Sequence, residues 1–216
     1  MKVLLVNGSP HKNGCTNRAL EEVAKTFDAE NIDTEIFWIG AKVSGCMACF
    51  KCIETGKCAL NDVVNEFRQK AYTADGFVFG SPTHYGGMSG NLVGFMDRLF
   101  FSEFQGNANK AFYLKPAAAV VAARRAGSTG VFEQLLKYFT VQEMPVISTR
   151  YWNNVFGMDA AEVEQDEEGL YNMRVLARNM AYFLKCKDAA EKSGVKLPKF
   201  ETPKFTNFVR RENGSR

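Results

Sequence analysis

Lys115-Pro116-Ala117-Ala118-Ala119-Val120-Val121-Ala122-Ala123, followed at once by Arg124-Arg125-Ala126-Gly127-Ser128-Thr129-Gly130, is the stretch that decides the fold. A strand with one wet face alternates apolar and polar residues. The run after Lys115 has no polar face, so it reads as a strand covered on both sides. Strands of that kind belong to parallel sheets, whose crossover helices pack on both faces. The polar loop that ends the run then gives way to Phe132, Leu135, Leu136 and Phe139, which recur at helical spacing.

The same alternation extends outward in both directions. Upstream, Leu92, Phe95, Met96, Leu99 and Phe100 stripe a helix, preceded by the loop Ser81–Gly90 and a short apolar strand, Gly76–Gly80. Before that come a helix carrying Val63, Val64, Phe67 and Ala71, capped by Asn61 or Asp62, and a strand over Ile32–Ile39. A helix runs from Thr16, its candidate N-cap, to about Ala29, with Leu20, Val23, Ala24 and Phe27 on one side. Lys2–Val6 is the first strand. Downstream, Val146–Thr149 is the expected fifth strand. The acid-rich segment 157–168 reads as a solvated loop and first helical turn, and Met173, Leu176, Ala177, Met180 and Leu184 stripe a long last helix. Five strands alternating with helices predict a doubly wound α/β sheet, all parallel, in the flavodoxin-like order 2-1-3-4-5. Ligands of such sheets sit at the carboxyl ends of the strands. The loops there are 7–17, 81–90 and 124–130.

Composition narrows the function. The chain has 216 residues, 46% hydrophobic and 24% charged, which excludes a disordered or fibrous protein. No apolar run approaches the ~20 residues of a membrane helix, and the strand-like start lacks a signal peptide's apolar stretch. A cytoplasmic protein is expected. The net charge of +3 lies wholly in residues 197–216, so the body is neutral. A basic tail on a neutral body is not the basic face that nucleic acid requires. The expected organisation is one domain over 1–195, with a cysteine-bearing insertion at 40–61, and a basic tail at 196–216.

The first loop, Gly8-Ser9-Pro10-His11-Lys12-Asn13-Gly14-Cys15-Thr16-Asn17, has neither G-x-G-x-x-G nor a lysine followed by Ser or Thr. What it offers is hydroxyls and amides leading into a helix N-terminus, a phosphate-binding arrangement. His11 or Lys12 could add charge. The same residues also suit a plain strand–helix turn capped by Thr16. In Ser81–Gly90, Pro82 stiffens the backbone, Gly86 and Gly87 allow close approach, and Tyr85 could stack on a flat ligand or simply fill a turn. Arg124 and Arg125 could stabilise negative charge on a bound ring, or pair with the acidic segment.

Cys46, Cys49, Cys52 and Cys58 lie within 13 residues, spaced C-x2-C-x2-C-x5-C. In a reducing compartment such a cluster points to a metal or redox site. A [4Fe–4S] cluster, redox thiols, zinc and merely structural cysteines all remain open on spacing alone.

Gly8-Ser9-Pro10 with Gly14 and Thr16-Asn17, then Ser81-Pro82-Thr83-His84-Tyr85-Gly86-Gly87, then Ala123-Arg124-Arg125-Ala126-Gly127, resemble the flavin-binding loops of the NADPH-dependent FMN reductase family. Met96-Asp97-Arg98, Tyr151-Trp152-Asn153-Asn154-Val155 and the cysteine spacing resemble its iron–sulfur flavoprotein branch. The resemblance implies noncovalent FMN, an oligomer (homodimer or homotetramer), and flavin-centred chemistry needing no catalytic side chain. NAD(P)H would be the donor. The acceptor would be a small quinone, azo, nitro or flavin compound, or a redox protein such as ferredoxin. Carried over, Ser9, His11, Thr16 and Asn17 would hold the phosphate. Pro82, Thr83, His84, Tyr85, Gly86 and Gly87 would line the ring, and Arg124, Arg125 and Gly127 its other edge. Cys46, Cys49, Cys52 and Cys58 would hold a [4Fe–4S] cluster. His11 stands where the family often has Arg, and Cys15 where it often has Asn.

Overall fold

A computed structural model describes residues 1–204 and 206. Most of the expected basic tail therefore lies outside the described residues. Six strands form one sheet: β1 (Lys2–Asn7), β2 (Asp33–Trp38), β3 (Gly76–His84), β4 (Gly87–Met88), β5 (Ala117–Ala123) and β6 (Asn154–Phe156). Their order is β2-β1-β3-β5-β6, with β4 paired to β3. Counting the parallel strands alone, this is the expected 2-1-3-4-5.

The covered strand is as its residues demand. Every residue of β5 is buried, and one alanine-rich strand serves two cores. On one face, Ala117, Ala119 and Val121 meet Phe67, Phe79 and Phe95. On the other, Ala118, Val120 and Ala122 meet Leu20, Phe27, Met173 and Leu176. Each such fully buried large side chain contributes about 1.5–3 kcal/mol. The helices of the second face are α1 (Cys15–Ala29) and, after α6 (Ala160–Val163), α7 (Glu167–Lys192). The first face is closed by α3 (Val63–Ala71), α4 (Gly90–Asn107) and α5 (Ser128–Val141), with a short α2 (Lys51–Thr55) in the cysteine segment. Among the described residues no helix is long and apolar enough to cross a membrane.

Three sequence expectations are corrected. The fifth parallel strand is Asn154–Phe156, not Val146–Thr149. Val146 makes one isolated bridge to Ala117, and β6 pairs with the carboxyl end of β5, Val121–Ala123. The register is held by Asn153: its backbone oxygen accepts from Val121 N, and its Nδ2 donates to Ala119 O. Second, the segment after Gly80 is not all loop. The strand runs on to His84 and turns at Tyr85-Gly86 into antiparallel β4, so the sheet is not wholly parallel. Third, α1 begins at Cys15, capped by Gly14 two residues before the expected cap, and Thr16 lies inside the helix. Asp62 does cap α3, accepting from Val64 N at 3.2 Å.

Candidate functional site

The first loop is shaped by a residue that sequence reading passed over. Asn7, fully buried, donates through Nδ2 to Lys12 O (2.9 Å) and Asn17 Oδ1 (3.1 Å) and accepts from Ser9 N (3.0 Å). Ser9 Oγ then accepts from His11 N, and Ser9 O accepts from Trp38 Nε1. Lys12 turns away, its Nζ 5.8 Å from the centre of the Trp38 ring. Gly14 caps α1 without a side chain, so no capping oxygen competes for the amides of the first turn.

Beneath that turn lies a cavity of about 480 Å³ at the carboxyl edge of the sheet. Ser9, His11, Thr16, Pro82, Thr83, His84 and Arg124 line it. Loops distant in sequence thus supply one wall each. The other sequence candidates stand around it. Asn17 is engaged with Asn7 and with Glu21 Oε1 (2.6 Å). Tyr85 and Gly86 form the tip of the β3–β4 hairpin, Tyr85 wholly exposed in a left-handed conformation (φ 49°). Gly87 follows in β4, where Met88 N donates to Gln134 Oε1. Arg125 and Gly127 are exposed on the third loop, and a Cβ on Gly127 would lie 3.0 Å from Gly86 Cα.

Sequence reading missed the fourth wall, Gly157-Met158-Asp159-Ala160. Moving the last strand to residues 154–156 is what brings this segment to the edge. Asp159 spends Oδ1 on Glu162 N as the cap of α6. Cys15, also on the cavity, donates to Gly157 O at 3.4 Å. Burial pushes its thiol up, against a backbone hydrogen bond, and the carboxylates of Asp159 and Glu162 add to the rise. Burial and the two carboxylates each disfavour the thiolate.

Two residues that line this cavity carry buried hydroxyls, Thr16 Oγ1 and Thr83 Oγ1, with no hydrogen-bond partner among the described residues. An unmet buried hydroxyl costs about 1–3 kcal/mol. Flanked by open helix amides, Arg124 and His11, they match a ligand that carries phosphate at one end and polar ring atoms at the other. FMN fits that donor set.

The cysteine segment sits on α4. Cys46, Cys49, Cys52 and Cys58 border one small cavity together with Arg98 and Phe101, and the enclosed part measures about 20 Å³. Cys46 and Cys49 are exposed and Cys52 is buried. Burial pushes the Cys52 thiol up, against a backbone hydrogen bond, and the other three cysteines add to it. Among the described residues, no three His, Cys, Asp or Glu side chains are arranged to hold a metal ion. Four thiols at one opening are nonetheless the donor chemistry of an iron–sulfur cluster.

Residues 1–159 match the family described as NADPH-dependent FMN reductase. An iron–sulfur flavoprotein of Methanocaldococcus jannaschii is 30% identical over 195 residues, 86% of this chain and 98% of that one. Another, of Archaeoglobus fulgidus, is 26% identical over 193 residues, 83% and 94% of the two chains. Among solved structures, RosB, with its intermediate 8-demethyl-8-formylriboflavin-5'-phosphate bound, superposes with a TM-score of 0.66 at 14% identity, over 100% of this chain and 96% of that one. This last likeness is one of fold.

Proposed function

Because the chain belongs to the NADPH-dependent FMN reductase family, we propose that it is an FMN-dependent oxidoreductase that takes electrons from NAD(P)H and reduces a small acceptor of the quinone, azo, nitro or flavin type. The observation that carries this reading is the pair of unpartnered hydroxyls, Thr16 and Thr83, of residues lining a cavity built at the carboxyl ends of β1, β3, β5 and β6. FMN, when bound, supplies two-electron and one-electron chemistry that no side chain can.

The chain's own part is to bind and orient. The α1 amides, Ser9 and Thr16 would hold the phosphate, with His11 beside them and Arg124 as the nearby cationic group. Pro82, Thr83 and His84 would lie along the ring, and the Tyr85-Gly86 tip and Gly127 would border its outer face. Asp159 opposes a phosphate, and its commitment to the α6 cap keeps one oxygen turned to Glu162 N.

The test is spectroscopic and kinetic. Purified protein should carry or take up one FMN per chain, and should oxidise NADPH when given a panel of small acceptors. Protein that refuses added FMN overturns the reading.

A second reading has its own support in the four thiols at one opening and in relatives named iron–sulfur flavoproteins. In it, the cysteines hold a [4Fe–4S] cluster, and electrons pass singly to or from a redox protein such as ferredoxin. A bound cluster takes up and releases one electron at a time. Iron and acid-labile sulfide near four each per chain after anaerobic purification would support it, with loss in Cys49→Ala. Full flavin with no iron would reject it. Fast reduction by ferredoxin without NAD(P)H turnover would place this reading first.

A further inference from the structure

Four residues of α4, Gly94, Arg98, Ser102 and Gly106, recur every fourth position and so share one face. The cysteine segment is bedded on that face. A Cβ at Gly94 would lie 2.9 Å from Ser44 O, and one at Gly106 would lie 2.5 Å from Cys52 O and 2.7 Å from Gly56 Cα. Asn107 Nδ2 closes the far end by donating to Gly56 O at 2.6 Å. Between the glycines stands Arg98, the largest side chain in the fully buried set.

Every arm of its guanidinium is aimed at this segment. Nε donates to Cys58 Sγ at 3.2 Å. Nη1 and Nη2 grip Asp62 at 2.8 and 2.7 Å and reach Ser44 O and Leu60 O. An arginine guanidinium is always charged in proteins, so this is a fixed positive group. An arginine could have satisfied Asp62 from the surface. Here it is sealed inside, with one N–H given to a thiol.

We propose that Arg98 is a positioning residue that sets the reduction potential of a cluster held by Cys46, Cys49, Cys52 and Cys58, through its Nε–H donated to the Cys58 sulfur. The inference rests on the second reading above. Reduction adds one electron to the cluster and neither makes nor breaks a bond. A fixed positive charge donating to a ligand sulfur stabilises the more negative, reduced state, and hydrogen bonds to the sulfurs are a known lever on cluster potential. Burial keeps that charge from being screened by water. Asp62 works in the opposite sense, because its carboxylate draws on the same guanidinium.

The opposed signs make the test. Anaerobically purified full-length protein is titrated potentiometrically, following the signal of the reduced cluster, with iron and sulfide measured in each sample. Arg98→Met should lower the potential by at least tenfold in the one-electron equilibrium, about 59 mV. Arg98→Lys should fall between, since the charge remains and the fixed fork is lost. Asp62→Asn, which retains an N-cap side chain for α3, should move the potential upward. That variant decides the matter even if Arg98→Met fails to fold. Unchanged iron with potentials equal across parent, Asp62→Asn and the Arg98 variants would overturn the role of Arg98 and leave the cluster standing. An iron-free parent with normal flavin would overturn both.

Discussion

Asn7 and Asn17 are joined by a 3.1 Å hydrogen bond, Nδ2 to Oδ1, which ties the end of β1 to the first turn of α1. The same Asn7 side chain holds Lys12 O and Ser9 N. One buried amide therefore fixes the course of the whole first loop. Asn7→Ala should cost about 1–3 kcal/mol by leaving buried backbone groups unmet. It should also weaken FMN, though Asn7 itself lies behind the cavity wall. Urea unfolding and a fluorescence titration with FMN read the two effects, and an unchanged FMN affinity would count against the loop's role in binding.

Thr16→Val separates binding from stability by sign. The hydroxyl has no partner among the described residues, so replacing it with a methyl removes an unmet polar atom at nearly constant volume. The flavin-free protein should be as stable as the parent or slightly more so. FMN should bind more weakly by about 1.5–3 kcal/mol, the worth of a hydrogen bond to a charged group. A Thr16→Val protein that melts earlier without FMN, yet binds it normally, would show the hydroxyl to be structural.

Lys115 supplies a pH signature unrelated to the flavin. Burial pushes its ammonium down to about 8 from 10.5, and Asp75 offsets only part of that. Nζ donates to Ala71 O at 2.9 Å. Between pH 8 and about 10.5 the unfolded chain binds the extra proton, so the stability contribution of this group rises with pH across that window. Below pH 8 both states are protonated and the folded state carries the full cost of the buried charge. Urea midpoints at pH 7 and 9.5 should diverge between the parent and Lys115→Met, with the parent gaining relative to the variant. Parallel profiles would exclude the shift.

Gly106→Ala sets two known effects against each other. Glycine to alanine inside a helix ordinarily gains about 1 kcal/mol. Here the new methyl would meet backbone, Cys52 O and Gly56 Cα, and overpacking of that kind costs about 1–3 kcal/mol. We expect the cysteine segment to lift, with faster proteolysis between residues 50 and 57 and little change in the melting of the sheet. Protection equal to the parent would mean that the segment docks elsewhere.

Much of this was legible because it depended on local composition. The run Ala117–Ala123, set between helical patterns, fits a doubly covered strand, and the stripe Leu92, Phe95, Met96, Leu99 a buried helix face. The last strand was not legible. Val146-Ile147-Ser148-Thr149 has the better strand composition, yet Asn153 carries the pairing through its side chain and backbone. That is a tertiary contact with no periodic trace. With the strand misplaced, the Gly157–Ala160 wall could not be found. Thr16 misled for a related reason: it has the residue type of a cap, but Gly14 already occupies that position. The cysteines were visible as a spacing. Their seat on α4 was not, because the close approach of Ser44, Cys52 and Gly56 to Gly94 and Gly106 is a tertiary contact.

The β6 edge of the sheet is discontinuous, unlike the opposite edge at β2. One bridge at Val146 and a three-residue strand at Asn154–Phe156 flank a gap that the Asn153 side chain fills. A long, regular rim of unpaired backbone groups is a template on which another chain can add a strand, and proteins that expose one risk stacking edge to edge. This rim never presents enough consecutive donors and acceptors to guide such growth. The broken last strand thus offers no such template on its side of the sheet, and leaves β2 as the regular rim.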